Sequence, residues 1–402
     1  MKPLTIGFVA DHYLGWMGGA QFLANLLGGI DSVAAGQQVR LEVLVSAAAL
    51  GPAADGQPGD VLPVPTAGLR ATGPLQCLLE STRLQRLVFY RDLRRAVGSL
   101  AIQVIGPTSI NLGADFPVPW FAYITDFQHQ YLPRFFAAAE RLQRDAMFRN
   151  LIENAHGVFV NSGTVVADIE RFYPAPARAK PVLRLPLSLP RLEPVANLDL
   201  VAATYGIEKP YFLSCSQRWM HKQHPLILRA YAALLAQHPD WPLELVFTGD
   251  TGEYRNPDYT RQVAELTESL GLAQRVRVLG LIPRDHQLAL IRSALAVVQA
   301  SLFEGGPGAS GTLEAALFGT RIIASDIGPN RELPFGRIRH FPAESADDLS
   351  RCMGEVVAAA AAAGASPEEA ADSAPFDAPS RQLLEMAGGL QLLGTLRSAA
   401  AR

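Results

Sequence analysis

Short, continuous apolar runs recur along the chain at intervals that leave room for a helix between them. In the first part they are LTIGFVA (Leu4–Ala10), LEVLVS, IQVIG, WFAYIT, GVFVNS and PVLRLP; after residue 200 they are YFLSCS, LELVFTG, VRVLG, LAVVQA and RIIAS. A strand that is apolar at every position has no solvent face, so it belongs in a parallel sheet covered on both sides by helices. Intervening stretches such as FLANLLGGI supply those helices. The alternation predicts an α/β chain with two doubly wound, Rossmann-like domains, residues 1–188 and 200–375, separated by the Pro-rich RLPLSLPRLEPVANL and followed by a closing helix within 376–402. STRLQRLVFYRDLRRAV (Ser81–Val97) reads as one more helix, with Arg83, Arg86, Arg91, Arg94 and Arg95 spread over about half its circumference at 3.6 residues per turn. Such a face is either solvated or set against anionic lipid headgroups. VVAAAAAAGASPEEAADSAP reads as helix and low-complexity linker without chemistry.

The most informative stretch runs from Ala294 to Glu332. It predicts a buried strand (Leu295–Ala300), a turn bearing Gly305, Gly306, Gly308 and Gly311, a short helix opening near Thr312, and a second strand (Arg321–Ser325). That order sets the N-terminus of a helix at the carboxyl edge of a parallel strand, where free N–H groups and the helix dipole favour phosphate. Gly306, Gly308 and Gly311 satisfy G-x-G-x-x-G with Asp326 after the next strand, which suits a dinucleotide. Glu304 and Glu314 flank the same turn, and a carboxylate one helical turn from the phosphates suits sugar or ribose hydroxyls instead. The plain alternative for Glu314 is a capping residue reaching back to the start of its helix.

Other candidates lie at strand ends, where open α/β sheets bind ligands. The loop after the first strand holds Gly18 and Gly19; the loop after WFAYIT holds Asp126, Gln128 and His129, groups able to bind hydroxyls or move a proton. SCSQRWMHKQHP holds Gln217, Arg218 and Lys222, and its cationic Lys222 suits a departing diphosphate. His221 and His224 stand three apart, with no acid close by to complete a metal set.

Composition narrows the class. The 402 residues are 49% hydrophobic and 18% charged, enough for two packed cores and unlike a disordered chain. Thirty-five basic against thirty-eight acidic side chains give a net charge of −3, with no footprint for nucleic acid. Three scattered cysteines without a C-x-x-C suggest a reducing compartment, and no run reaches the ~18 to 20 apolar residues of a spanning helix.

FEGGPGASGTLEAALFGTRIIASDIGPNRE resembles the donor-site signature of the group 1, or family 4, retaining glycosyltransferases. The resemblance extends to the Gly-Gly-Ala at Gly18, to DFQH followed by a Leu-Pro and an aromatic pair, and to QRWMHKQH. It implies GT-B architecture, two Rossmann-like domains with a cleft between them and a closing helix that crosses back to the first. Carried over by position, Glu304 lies beside the donor sugar, Gly308, Ala309, Ser310, Gly311 and Thr312 hold the diphosphate, and Glu314 takes the ribose hydroxyls. Gly18 and Gly19 face the donor phosphates, Lys222 stabilises the leaving group, and Ile282 lies where relatives place the base. His129 or Asp126 contacts the donor sugar, and Arg218 substitutes for the arginine that most relatives carry at the position of Gln217. Nine residues separate Glu304 from Glu314 where the family usually has seven. The implied activity is retaining transfer of a hexose or deoxyhexose from a GDP- or UDP-linked donor to a hydroxyl of a glycan or lipid-linked glycan. It would serve cell-surface polysaccharide or glycolipid assembly, in the cytoplasm or at the inner membrane face, with no metal required. An NAD-dependent dehydrogenase, a sugar-nucleotide epimerase and a non-catalytic nucleotide-sugar-binding module remain as alternatives.

Overall fold

The computed structural model describes residues 3–34, 38–46, 61–175, 180–185, 195–336, 338–363 and 378–401. The chain forms two compact units: residues 1–127, 138–191 and 378–402 make the first, and residues 128–137 with 192–377 make the second. The predicted boundary at 188 and that between 375 and 376 lie outside the described residues, as do most of the Pro-rich connector and the end of the Ala-rich segment.

In the first unit, eight strands form one sheet: β1 (Leu4–Val9), β2 (Val39–Ser46), β3 (Leu62–Pro65), β4 (Arg86–Tyr90), β5 (Val104–Thr108), β6 (Trp120–Tyr123), β7 (Gly157–Val160) and β8 (Val182–Arg184). Their order is β3-β4-β2-β1-β5-β6-β7-β8, parallel throughout except where β3 pairs antiparallel with β4. Alternation along β1 splits the core between the two faces. Ile6 and Phe8 pack with the Met17–Ala34 helix, while Val9 joins Trp120, Phe127 and Phe148 on the other side. The Ala378–Ala400 helix returns to this unit, where Leu392, Leu393 and Leu396 enter the Ile6 side of the core.

The second unit has six parallel strands: β9 (Tyr211–Cys215), β10 (Glu244–Thr248), β11 (Val276–Gly280), β12 (Ala296–Gln299), β13 (Ile322–Ser325) and β14 (Ile338–Phe341). Their order is β11-β10-β9-β12-β13-β14, with β9 beside β12 where the winding reverses. The carboxyl ends of those two strands, at Cys215 and Gln299, therefore mark the topological switch point at which such sheets bind ligands.

One predicted element is corrected. Ser81–Val97 is not a helix: the Gly73–Ser81 helix ends there, β4 follows, and a separate helix spans Leu93–Ser99. RLVFY forms a strand whose Leu87, Val88, Phe89 and Tyr90 are all buried, paired parallel with β2 and antiparallel with β3, a sheet position that hides side chains on both faces. Arg86 pairs with buried Glu42 of β2 and Arg94 with Asp115, so the arginines form no single basic face. β3 and β14 carried no strand signal, being edge strands: LPVP alternates with proline, and IRHF sets Arg339 and His340 side by side between two apolar residues. No helix among the described residues is long and apolar enough to cross a membrane.

Candidate active site

The turn between β12 and the Ser310–Phe318 helix builds one wall of the site. Gly308 adopts φ +64°, the left-handed region that glycine enters without strain. Ala309 then caps the helix with no side-chain bond, which leaves its first-turn amides without a side-chain cap. Gly311 lies against the end of β9: a Cβ there would stand 2.9 Å from Cys215 Cβ, so only glycine lets the helix start approach the switch point this closely. Ala309, Gly311 and Thr312 line one small pocket with Ser214, Cys215, Ser216, Lys222, Gln299 and Ser301.

The opposite wall is the loop after β9. Three long-range bonds fix it: Arg218 N–H donates to Asp250 O at 2.7 Å, Met220 N–H to Glu253 Oε2 at 2.9 Å, and Leu302 N–H to His221 O at 2.8 Å. Gln223, in the left-handed region at φ 54°, gives its side-chain amide to Ala300 O and Ala343 O at 2.8 and 2.5 Å. The loop so held directs Lys222 Nζ to Glu304 Oε1 at 2.5 Å. Ser301 Oγ and Gln299 Nε2 donate to that same oxygen at 2.5 and 3.1 Å. Both charged side chains are mostly buried, 11% and 13% exposed, where their attraction is screened less than at a surface.

Glu314 does not cap its helix. Fully buried, it accepts from Arg284 Nη2 at 2.5 Å, and its Oε2 has no hydrogen-bond partner among the described residues. Burial raises its pKa, against the opposing pull of Arg284. Ile282 lies two residues before Arg284 in the connection from β11, half-buried. His221 and His224 are buried, and desolvation, reinforced by neighbouring cations including Lys222, holds both well below the usual histidine pKa. They are neutral packing groups.

The remaining predicted residues have these surroundings. Arg218 is buried over the Phe247 ring at 5.2 Å, beside His224 and Tyr259, and neither it nor half-buried Gln217 lines the pocket. Asp126 belongs to the first unit, near the Tyr123 hydroxyl; His129, in the second, is buried edge-on to Phe136. Trp16 packs across Gly18 and Gly19 at the start of the Met17–Ala34 helix in the first unit. Asp326 is tied to Arg331 in an exposed pair. The G-x-G-x-x-G also follows the fourth strand of its sheet, whereas a dinucleotide fold uses the first.

Two ion pairs of buried carboxylates near the site escaped sequence reasoning, Arg284 with Glu314 and Arg255 with Glu253. Arg284 carried one weak signal, a cation opening a helix after a strand end. The other is the Glu253–Arg255 pair, 1% and 7% exposed at the side chains, in which Arg255 also reaches Gln128 Oε1 at 2.9 Å and stacks near Trp219 and Phe136. Burial alone would raise the Glu253 pKa, but Arg255 and two backbone N–H groups bring it below the usual carboxylate range.

Residues 203–351 match the family model described as glycosyl transferases group 1. No curated protein sequence matches the chain. Among solved structures, HepE of Anabaena in complex with UDP-glucose is similar at 17% identity, with a TM-score of 0.65 over 98% of this chain and 100% of that one. The sucrose-phosphate synthase of Thermosynechococcus elongatus gives 17% identity and a TM-score of 0.62 over 98% and 100%. WaaG, a glycosyltransferase involved in lipopolysaccharide biosynthesis, gives 14% and 0.60 over 96% and 99%. At these identities the likeness is one of fold, and the fold is that of the GT-B glycosyltransferases.

Proposed function

From the premise that the chain carries a group 1 glycosyltransferase domain over residues 203–351, we propose that it is a retaining hexosyltransferase using a nucleoside diphosphate sugar. The observation that carries this reading is the convergence of Lys222, Ser301 and Gln299 on one oxygen of Glu304 beside a helix N-terminus at the switch point. Transfer of a sugar creates negative charge on the departing diphosphate and positive charge at the anomeric carbon. In this reading the Ser310 and Gly311 amides and Lys222 meet the first, and the Glu304 carboxylate the second. No metal is needed in this scheme, because the lysine and the helix dipole supply the positive charge. Glu314 takes the ribose hydroxyls and Ile282 packs on the base. His129 is assigned to the sugar hydroxyls.

HepE's complexes with UDP and with UDP-glucose support UDP as the first nucleotide to try, with GDP as the second. The acceptor is a hydroxyl of a glycan or lipid-linked glycan, met on the cytoplasmic side. The decisive assay incubates the chain with UDP- and GDP-hexoses and a panel of such acceptors, and reads the anomeric configuration of the product by NMR. An axial donor giving an axial linkage is expected, and Lys222→Ala should slow it about 10²- to 10³-fold, as loss of one transition-state charge contact does. An inverted product, or NAD reduction in place of transfer, would overturn the proposal.

A further inference from the structure

Among the described residues Arg284 is the cation that pairs with the fully buried Glu314, and it engages Oε1, while Oε2 has no partner. A buried carboxylate oxygen without a hydrogen-bond partner is unfavourable, which marks it as a contact for something outside the chain. Other elements packed on the Glu314 helix offer no substitute. β12 (AVVQ) and β13 (IIAS) contain no ionisable residue. In the Arg284–Ser293 helix, His286 bonds the Tyr205 hydroxyl at 2.9 Å, Asp285 acts on that same hydroxyl, and Arg292 is exposed. Cys215, from β9, is the remaining titratable neighbour, and burial pushes its pKa up to about 12, so it stays a neutral thiol.

We propose that Arg284 is a positioning residue for nucleotide recognition: it holds Glu314 with Oε1 occupied and Oε2 presented to the ribose diol of a nucleoside diphosphate. The two lone pairs of one carboxylate oxygen suffice for both ribose hydroxyls, and the Arg284 bond to Oε1 holds the carboxylate with Oε2 as the oxygen left to accept. Without Arg284, burial favours the neutral acid, which donates a proton where the diol needs an acceptor. The inference rests on the reading of Glu314 as the ribose contact, and the experiment separates the two.

Affinities for UDP, GDP and ADP are measured by calorimetry between about pH 6 and 9, with the 2′-deoxy form of whichever binds, on the wild type, R284Q, R284K and E314Q. R284Q should bind the ribonucleotide about 10- to 100-fold more weakly at neutral pH, the usual loss for a hydrogen bond to a charged group. As pH rises and Glu314 ionises, affinity and the preference for ribose over deoxyribose should return together; R284K, which keeps the charge, should follow the wild type. E314Q should be weak at every pH with no ribose preference. R284Q that binds like the wild type, or weakens equally at all pH values with ribose preference intact, overturns the role of Arg284 while a weak E314Q preserves that of Glu314. An E314Q that keeps ribose preference overturns both. Should R284Q fail to fold with its carboxylate unpaired, R284Q/E314Q, which buries no charge, decides: retained ribose preference in that variant refutes the proposal.

Discussion

Gly311→Ala sets two opposed effects against each other at the point where the phosphate-facing helix meets β9. Replacing glycine by alanine in a helix gains about 1 kcal/mol, and less in a first turn where fewer helical bonds depend on it. Against this, the new methyl would lie 2.9 Å from Cys215 Cβ, 3.6 Å from its Sγ and 3.7 Å from its carbonyl oxygen. Carbon atoms pack at about 3.5 to 4.0 Å, so the helix start or the strand end must give way by roughly 0.6 to 1 Å. Neither is a flexible side-chain tip, since Cβ is fixed to the strand, and overpacking of this kind costs about 1 to 3 kcal/mol. The cost wins. Net destabilisation should be about 1 to 2 kcal/mol, seen as a lower urea midpoint at unchanged m-value or as a fall of about 2 to 4 °C in Tm per kcal/mol. Because Gly311 stands in the first turn of the helix proposed to meet the diphosphate, nucleoside diphosphate affinity should fall as well. Cys215→Gly in the same chain removes the obstructing Cβ, so the double variant should regain part of both. A Gly311→Ala protein as stable as the wild type, with nucleotide affinity intact, would refute the claim that close approach to Cys215 requires glycine there.

Two further outcomes follow from the loop that carries Lys222. Glu253→Gln keeps the shape but weakens the acceptor for Met220 N–H and the charge partner of Arg255. It should destabilise by about 1 to 3 kcal/mol in urea unfolding and lower kcat more than it raises KM, because Lys222 loses its register; an unchanged kcat in a folded variant removes Glu253 from the positioning of Lys222. His221 and His224, whose pKa values are held well below the ordinary histidine value, bind protons more readily unfolded than folded. Their contribution to stability is therefore complete above the unfolded pKa of about 6.5 and is lost as pH falls below it, by about 1.4 kcal/mol per pH unit for each. Urea midpoints measured from about pH 8 down to 5 should show that slope, and His224→Gln should reduce it. A flat profile in the wild type would mean that neither histidine is kept neutral by the fold.

Most of the strand set was legible in the sequence, and the reason is burial. β1, β9, β12 and β13 are covered on both faces, so each is apolar but for one small or amide side chain (Thr5, Ser214, Gln299, Ser325), and the run stands out in any window. β4 shows where the same logic fails. Its apolar run is as clear as the others, but arginines at helical spacing surround it, and the fact that turns Arg86 from a surface charge into a sheet partner is Glu42, 44 residues away. Local periodicity contains no record of that carboxylate. The candidate site divides along the same line. Lys222 and Glu304 were legible because each follows a buried strand that ends at the switch point, a position the alternation of elements discloses without any knowledge of contacts.

Arg284 and Arg255 were not legible, because their meaning lies in carboxylates that burial would otherwise make untenable. Arg284 meets Glu314 across 30 residues, and Arg255 joins Glu253 to a glutamine 127 residues upstream. Gln217 and Arg218 make the converse point. The resemblance put an arginine at the donor, and the structure adds that Arg218 is buried over the aromatic face of Phe247. In this chain, then, a charge at a strand end is a guide to function only if no buried ring or opposite charge within reach gives it a structural use. Lys222 passes that test because its partner, Glu304, is itself at the switch point. Arg284 passes it because the carboxylate it neutralises still has one oxygen to offer.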